Sequence, residues 1–303
     1  MKKYYWRILI LIFISTILYA WVQSRENMES NHFAEPEVRL FLHEKNELIS
    51  LSLEDYIIGT VAAEMPASFD VEALKAQAVC ARTYALKKLI DKHAYPQGAD
   101  LSDDINVCQA FRDTNSENSG LSRPNLNRIK KAVESTRGEI ILYQSQPIDA
   151  LYHSCCGGRT DSGWGDAANI PYLQPVKCNY CQDSRHFSEV SQFNNATIKG
   201  LVGDHSNKLK INILSCSPAG RANQLSINGK TISAARLRRQ LNLPSQWMSF
   251  HINDKQTEIT TRGYGHGIGL CQYGANGMAK KGKSYQQILK KYYHDIDIYK
   301  LPY

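Results

Sequence analysis

Glu64 stands at the end of an apolar stripe. Leu53, Ile57, Val61 and Glu64 are spaced 4, 4 and 3 residues apart, which puts them on one face of a helix. Three of the four are apolar and predict a face turned to the core. A carboxylate that continues the stripe is then partly desolvated. Desolvation disfavours the charged form and raises the pKa. A carboxyl group that holds its proton near neutral pH can deliver it to a leaving oxygen as a general acid. The alternative is a buried glutamate neutralised by an arginine such as Arg82, which would lower the pKa and remove that capacity.

The second chemical feature is sulfur. The chain has 8 cysteines: Cys80, Cys108, Cys155, Cys156, Cys178, Cys181, Cys216 and Cys271. Cys178 and Cys181 have the spacing of a metal knuckle, and His153 and Cys156 form a second pair with two residues between them. The expected ligand set is His153, Cys156, Cys178 and Cys181. Three thiolates and one imidazole would fill a tetrahedral zinc site, so the metal would be structural. His186 is an alternative to His153, and Cys155 is an alternative ligand or disulfide partner. An even count in an oxidising compartment also allows disulfides. A catalytic zinc would need an open coordination position and would displace Glu64 from the central role. Cys271 stands where a small residue is expected and is given no chemistry.

These residues must be positioned by a mixture of short elements. "EVRLFL" alternates and predicts a strand from about Val38. "LISLSLEDYIIGTVAAEM" turns from strand to helix, with Ser52 and Asp55 spaced as a capping box. Pro66 ends that helix by restricting Met65. Asp70 is the expected N-cap of a second helix, whose stripe is Leu74, Ala78, Ala81, Ala85 and Leu89. His93 to Asn127 predicts long loops, followed by a helix from Asn127 to Ser135. "GEIILYQ" and "PIDALYHS" predict two strands with a turn at Ser145–Pro147. Cys155 to Ser184 predicts irregular chain. Short strands are expected from Thr197, a short helix from Ser233 to Leu241, and a last helix from Tyr285 to Tyr293. The mixture predicts an α+β fold in a single intertwined catalytic domain over residues 37–303.

The chain has 303 residues, 43% hydrophobic and 21% charged, which predicts a mostly globular protein. Lys2, Lys3 and Arg7 supply three of the +7 formal charges, leaving 7 − 3 = +4 for the rest. That balance suits an acidic polymer such as cell wall. It gives no dense basic run or stripe for nucleic acid. The basic start followed by the apolar run Ile8 to Val22 predicts an uncleaved N-terminal transmembrane helix over residues 1–23, with a cleaved signal peptide as the rival reading. Residues 24–36 are polar and acidic and predict a linker. Either way the body of the protein is exported.

Four ordered motifs resemble the stage II sporulation protein D family, which includes the amidase-enhancer-like proteins. "AAEMPASFDVEALKAQAVCARTYAL" is the first. "NVCQAF" follows, then "YHSCCGGRT" with "VKCNYC", then "TTRGYGHGIGLCQYGANGMAKKGKSYQQILKKYY". The resemblance runs from about Val38 to Ile298. It implies a lytic transglycosylase acting on peptidoglycan glycan strands stripped of stem peptides, with Glu64 as the catalytic acid. It also implies a role in septal thinning and engulfment during sporulation, beside an amidase that removes the stems. A non-catalytic enhancer that binds peptidoglycan and activates an amidase is the alternative. Family members with bound zinc support the metal reading. Gly263, Gly265, Gly267 and Gly269 alternate around His266, a spacing that lets backbone approach a ligand closely. This loop is expected beside Glu64, with His266, Gln272 and Tyr273 orienting sugar or carboxylate. Gln77, Arg82 and Tyr84 are further expected cleft residues.

Overall fold

The structure is a computed structural model that describes residues 34–116, 119–162 and 170–303. The expected membrane anchor lies outside these residues. Among the described residues no helix is long and apolar enough to cross a membrane.

Strand β1 (Glu37–Leu42) pairs antiparallel with β2 (Glu47–Ser52), Leu40 opposite Ile49. Helix α1 (Leu53–Glu64) follows at once, because the Ser52 hydroxyl accepts the Asp55 N–H at 3.2 Å and closes its first turn. Met65 turns extended ahead of Pro66 and ends it. Asp70 caps α2 (Val71–Ile90) by accepting the Glu72 N–H at 3.0 Å. Leu74, Ala78, Ala81 and Ala85 are all buried, and the small side chains let neighbouring helices pack close to α2. Strand β3 (Leu101–Ser102) adds to β1 in parallel. Helix α3 (Arg123–Ser135) starts four residues before the expected Asn127. Ser122 is its cap and Pro124 sits in the first turn, where proline lacks no needed donor.

Strand β4 (Glu139–Tyr143) lies between β5 (Gln146–Pro147) and the C-terminal segment Asp297–Lys300. The expected second strand of that hairpin is only two residues long. The chain then moves to another sheet as β6 (Tyr152–His153). Most of the helices and β4 share the main apolar core.

A smaller core closes over residues 189–261. Here β7 (Glu189–Asn194) leads into α4 (Asn195–Gly200), then β8 (Ile211–Cys216), β9 (Ala222–Ile227) and β10 (Lys230–Ser233). Helix α5 (Ala234–Gln240), β11 (Met248–Ile252) and β12 (Gln256–Thr261) complete it. Ile198, Leu225, Ile227, Leu237 and Ile259 are its buried centre. The expected strand at Thr197 is a helical turn instead, because the Asn194 side chain accepts the Ala196 N–H at 2.8 Å. The chain returns to the main core through β13 (Leu270–Cys271), which pairs in parallel with β6. Helices α6 (Gln272–Ala279) and α7 (Tyr285–Tyr292) follow, then β14 (Asp297–Lys300). The result is a mixed α+β single domain.

Candidate active site

Helix α1 delivers Glu64 to an open cavity of about 630 Å³, a volume that suits a small ligand or a segment of a polymer. Leu53, Ile57 and Val61 are fully buried, and Glu64 sits at the half-buried end of their stripe. Its Oε1 accepts the Ala110 N–H at 2.8 Å. Burial pushes the Glu64 carboxyl above its usual pKa, while the Ala110 N–H and the Tyr152 hydroxyl offset part of that rise. The C-terminal end of a helix carries partial negative charge, which works in the same direction as burial. Among the described residues no cation pairs with Glu64.

Arg82 is therefore not its partner, and it does not line the cavity. The fully buried guanidinium forks onto Glu54, Nε to Oε1 at 2.8 Å and Nη2 to Oε2 at 2.7 Å. Its Nη1 donates to the Glu139 carbonyl at 3.0 Å. Helix α2 turns Arg82 toward the start of α1, so the expected cleft role is corrected to a structural one. Gln77 is also fully buried and outside the lining; its Oε1 accepts Gln272 Nε2 at 3.3 Å. It stands behind a lining residue.

Tyr84, His266, Gln272 and Tyr273 do line the cavity. Burial pushes the Tyr84 hydroxyl pKa up, so it stays protonated. Tyr273 packs edge-on against Phe69 at 5.1 Å. His266 faces two backbone groups. Its Nδ1 accepts the Ile268 N–H at 3.1 Å, which assigns the proton to Nε2, and Nε2 donates to the Tyr152 carbonyl at 2.8 Å. Burial lowers its pKa to about 4. The neutral ring anchors the strand that carries Tyr152.

The glycines approach backbone. Gly269, at φ 68°, lies where an added Cβ would meet the Leu151 carbonyl oxygen at 2.0 Å. Only glycine lets the loop lie this close to the chain at β6. Tyr152, Gln109, Tyr264, Arg185 and Ile105 also line the cavity and were not expected there. The Tyr152 hydroxyl donates to Gln109 Oε1 at 2.8 Å, and Gln109 Nε2 donates to the Tyr56 hydroxyl at 3.1 Å. Strand alternation at Tyr152–His153 was the available signal for Tyr152; Ile105 gave none.

The sulfur cluster differs from the expected set by one residue. Cys156, Cys178, Cys181 and Cys271 are buried with their sulfurs within 4.8 Å of one another. His153 is not among them. Its Nδ1 bonds the Ile268 carbonyl at 3.0 Å and its ring lies 5.5 Å from that of His266, on the cavity side. His186 is held elsewhere by Glu189. No disulfide joins the eight cysteines; Cys156 and Cys181 are 3.5 Å apart at sulfur. That separation is close to the edge of a tetrahedron of thiolates around zinc. The surroundings also suit thiolates. Cys271 Sγ accepts the N–H groups of Cys156 and Gly274, both at 3.3 Å, the second at the start of α6. The Tyr292 hydroxyl lies 3.2 Å from Cys178 Sγ. An added Cβ at Gly274 would meet that sulfur at 2.7 Å. The residues fit a closed four-sulfur metal site, with Cys271 in the place expected for His153.

A family model described as "Stage II sporulation protein" matches residues 43–143. Stage II sporulation protein D of Bacillus subtilis (strain 168) is 37% identical over 260 residues, covering 82% of this chain and 75% of the relative. The chain belongs to the stage II sporulation protein D family. The protein of the same name from Bacillus amyloliquefaciens is 34% identical over 265 residues, covering 82% of this chain and 74% of its own. The amidase enhancer of Bacillus subtilis (strain 168) is 27% identical over 295 residues, which cover 78% of this chain and 39% of that protein. Within the family-model match lie Glu64, Tyr84 and Gln109; the glycine loop and the four cysteines lie beyond it.

Proposed function

We propose that this family member is a peptidoglycan lytic transglycosylase that cleaves denuded glycan strands and leaves 1,6-anhydro-muramic ends. One observation carries the reading. Glu64 is the sole carboxylate among the described residues lining the cavity, and burial favours its protonated form. Ordinary glycoside hydrolysis needs two carboxyl groups. A single one suffices when the muramic 6-hydroxyl is the nucleophile.

Glu64 protonates the glycosidic oxygen as its bond to the anomeric carbon breaks. The 6-hydroxyl closes onto that carbon, and its proton passes to the Glu64 carboxylate. Tethering the nucleophile to the same sugar gives it a high effective concentration, so no water need be held. The Ala110 N–H stabilises the carboxylate formed part-way, and the Tyr152 hydroxyl adds to it by turning from Gln109 Oε1. His266 stays neutral and holds Tyr152 by its backbone. Tyr264 and Tyr273 offer aromatic faces to the sugar rings. Zinc on Cys156, Cys178, Cys181 and Cys271 would supply structure alone, tying the knuckle to the start of α6.

In this reading the catalytic domain faces outward from an N-terminal anchor, at the sporulation septum or engulfing membrane. It acts after a cell-wall amidase has removed stem peptides. Denuded strands incubated with wild type should yield anhydro-ended fragments by mass spectrometry, and Glu64→Gln should yield far fewer in the same time while still binding. The amidase-enhancer relative favours a second reading, a non-catalytic activator. Wild type that binds strands and releases no fragments would establish that reading instead.

A further inference from the structure

Among the described residues that line the cavity, one carries a fixed positive charge. Among the described lining residues Arg185 is the sole lysine or arginine, and it shares the cavity with Glu64 without pairing to it. Arg185 is solvent-exposed, yet its head is held. Its Nε donates to His186 Nε2 at 3.0 Å, so that nitrogen is the acceptor of the imidazole. His186 Nδ1 then carries the proton and donates to Glu189 Oε2 at 2.6 Å. The His186 ring also lies against the Tyr264 ring, centroids 4.5 Å apart. Glu189 thus orients His186, and His186 orients Arg185. The bond uses only Nε. The two Nη groups have no protein partner among the described residues and present the planar fork that matches a carboxylate.

A neutral sugar offers nothing that requires such a fork. Gln272 and Tyr84, which line the cavity, offer neutral partners for hydroxyl and acetamido groups. On a glycan strand of alternating amino sugars and muramic acid, the ionisable group is the lactyl ether. Its carboxyl is an uncharged amide while a stem peptide is attached and becomes an anion when that amide is hydrolysed. We propose that Arg185 is a specificity residue that reads the free lactyl carboxylate of the muramic acid bound near Glu64. The inference rests on the glycan reading of the cavity and adds the group that reports whether the stem is gone.

The test uses Glu64→Gln protein, which binds with little turnover, and two probes made from one batch of denuded strands. One keeps its lactyl carboxylates; in the other they are converted to methylamides. Calorimetric titration at low salt should give a Kd about tenfold lower for the carboxylate strand, with the gap narrowing as salt rises. In Glu64→Gln/Arg185→Gln the two strands should bind alike. Glu64→Gln/Arg185→Lys should keep part of the preference, and Glu64→Gln/Arg239→Gln, which removes an exposed charge of α5, should keep all of it. Circular dichroism checks that each variant is folded; the comparison of strands on Glu64→Gln alone needs no arginine variant. Equal affinity for the two strands, or binding to neither, overturns the inference. Anhydro products from wild type together with equal affinities would remove Arg185's role and leave the glycan reading standing. Neither products nor binding would remove both.

Discussion

Helix α1 carries two glutamates ten residues apart, Glu54 buried and Glu64 half-buried, and their surroundings differ. Glu54, in the first turn, is met by the Arg82 fork, the Tyr303 hydroxyl at 2.8 Å and the Gly138 N–H at 3.2 Å. Its charge is fully compensated, at the helix end where negative charge is favoured. Glu64, in the last turn, has one N–H, a nearby phenol and an open cavity. The two share a side chain and a helix; the partner differs, a guanidinium fork at Glu54 and no cation at Glu64 among the described residues. A cation that fixes the charged form would remove the proton that the proposed catalysis needs.

The contrast breaks most visibly at Glu64. Glu64→Gln should lower the rate of strand cleavage by about 10²–10⁴-fold, the range for a general acid. Its fold should hold. The sign follows from the raised pKa: ionising Glu64 disfavours the folded state as pH rises from the unfolded toward the folded pKa. Removing that charge leaves the melting temperature at neutral pH unchanged or higher, checked by calorimetry. Arg82→Met should do the reverse. It strands Glu54 as a buried charge and should destabilise by about 3–5 kcal/mol in denaturant titration. Adding Glu54→Gln should restore much of that loss.

The four-sulfur cluster, read as a zinc site, gives a sharper comparison of residues. Purified protein should carry about one zinc per chain, and loading should release protons from the thiols. Cys271→Ser should lose the metal, as read by elemental analysis, and melt at lower temperature. His153→Ala should retain it. The smallest effect is expected at Tyr152→Phe, a rate loss of about tenfold or less. Because the Tyr152 hydroxyl holds the Glu64 pKa down, its removal should move the alkaline limb of the pH–rate profile upward.

How much of this was legible in the sequence depends on range. The stripe Leu53–Ile57–Val61–Glu64 is local, and helical periodicity places it on one face without knowledge of the rest. The caps at Ser52 and Asp70 are local too. Arg82 was misread because periodicity tells which face a residue occupies and not who waits there; its partner is 28 residues away. The exchange of His153 for Cys271 has the same cause at longer range. Residues 153 and 271 are brought together only when β6 and β13 pair, and no spacing rule connects them. Helix α6 was missed because its sequence, QYGANGMA, contains two glycines and reads as loop. Close packing explains both: an added Cβ at Gly277 would meet the Tyr180 carbonyl oxygen at 2.0 Å.

The account centres on a carboxyl group that donates one proton and takes another back without admitting water. Cleavage of denuded strands in heavy-oxygen water tests this most directly. The prediction is anhydro-muramic ends with no heavy oxygen at the anomeric position. Reducing ends that carry the label would show that water is the nucleophile and would contradict the account.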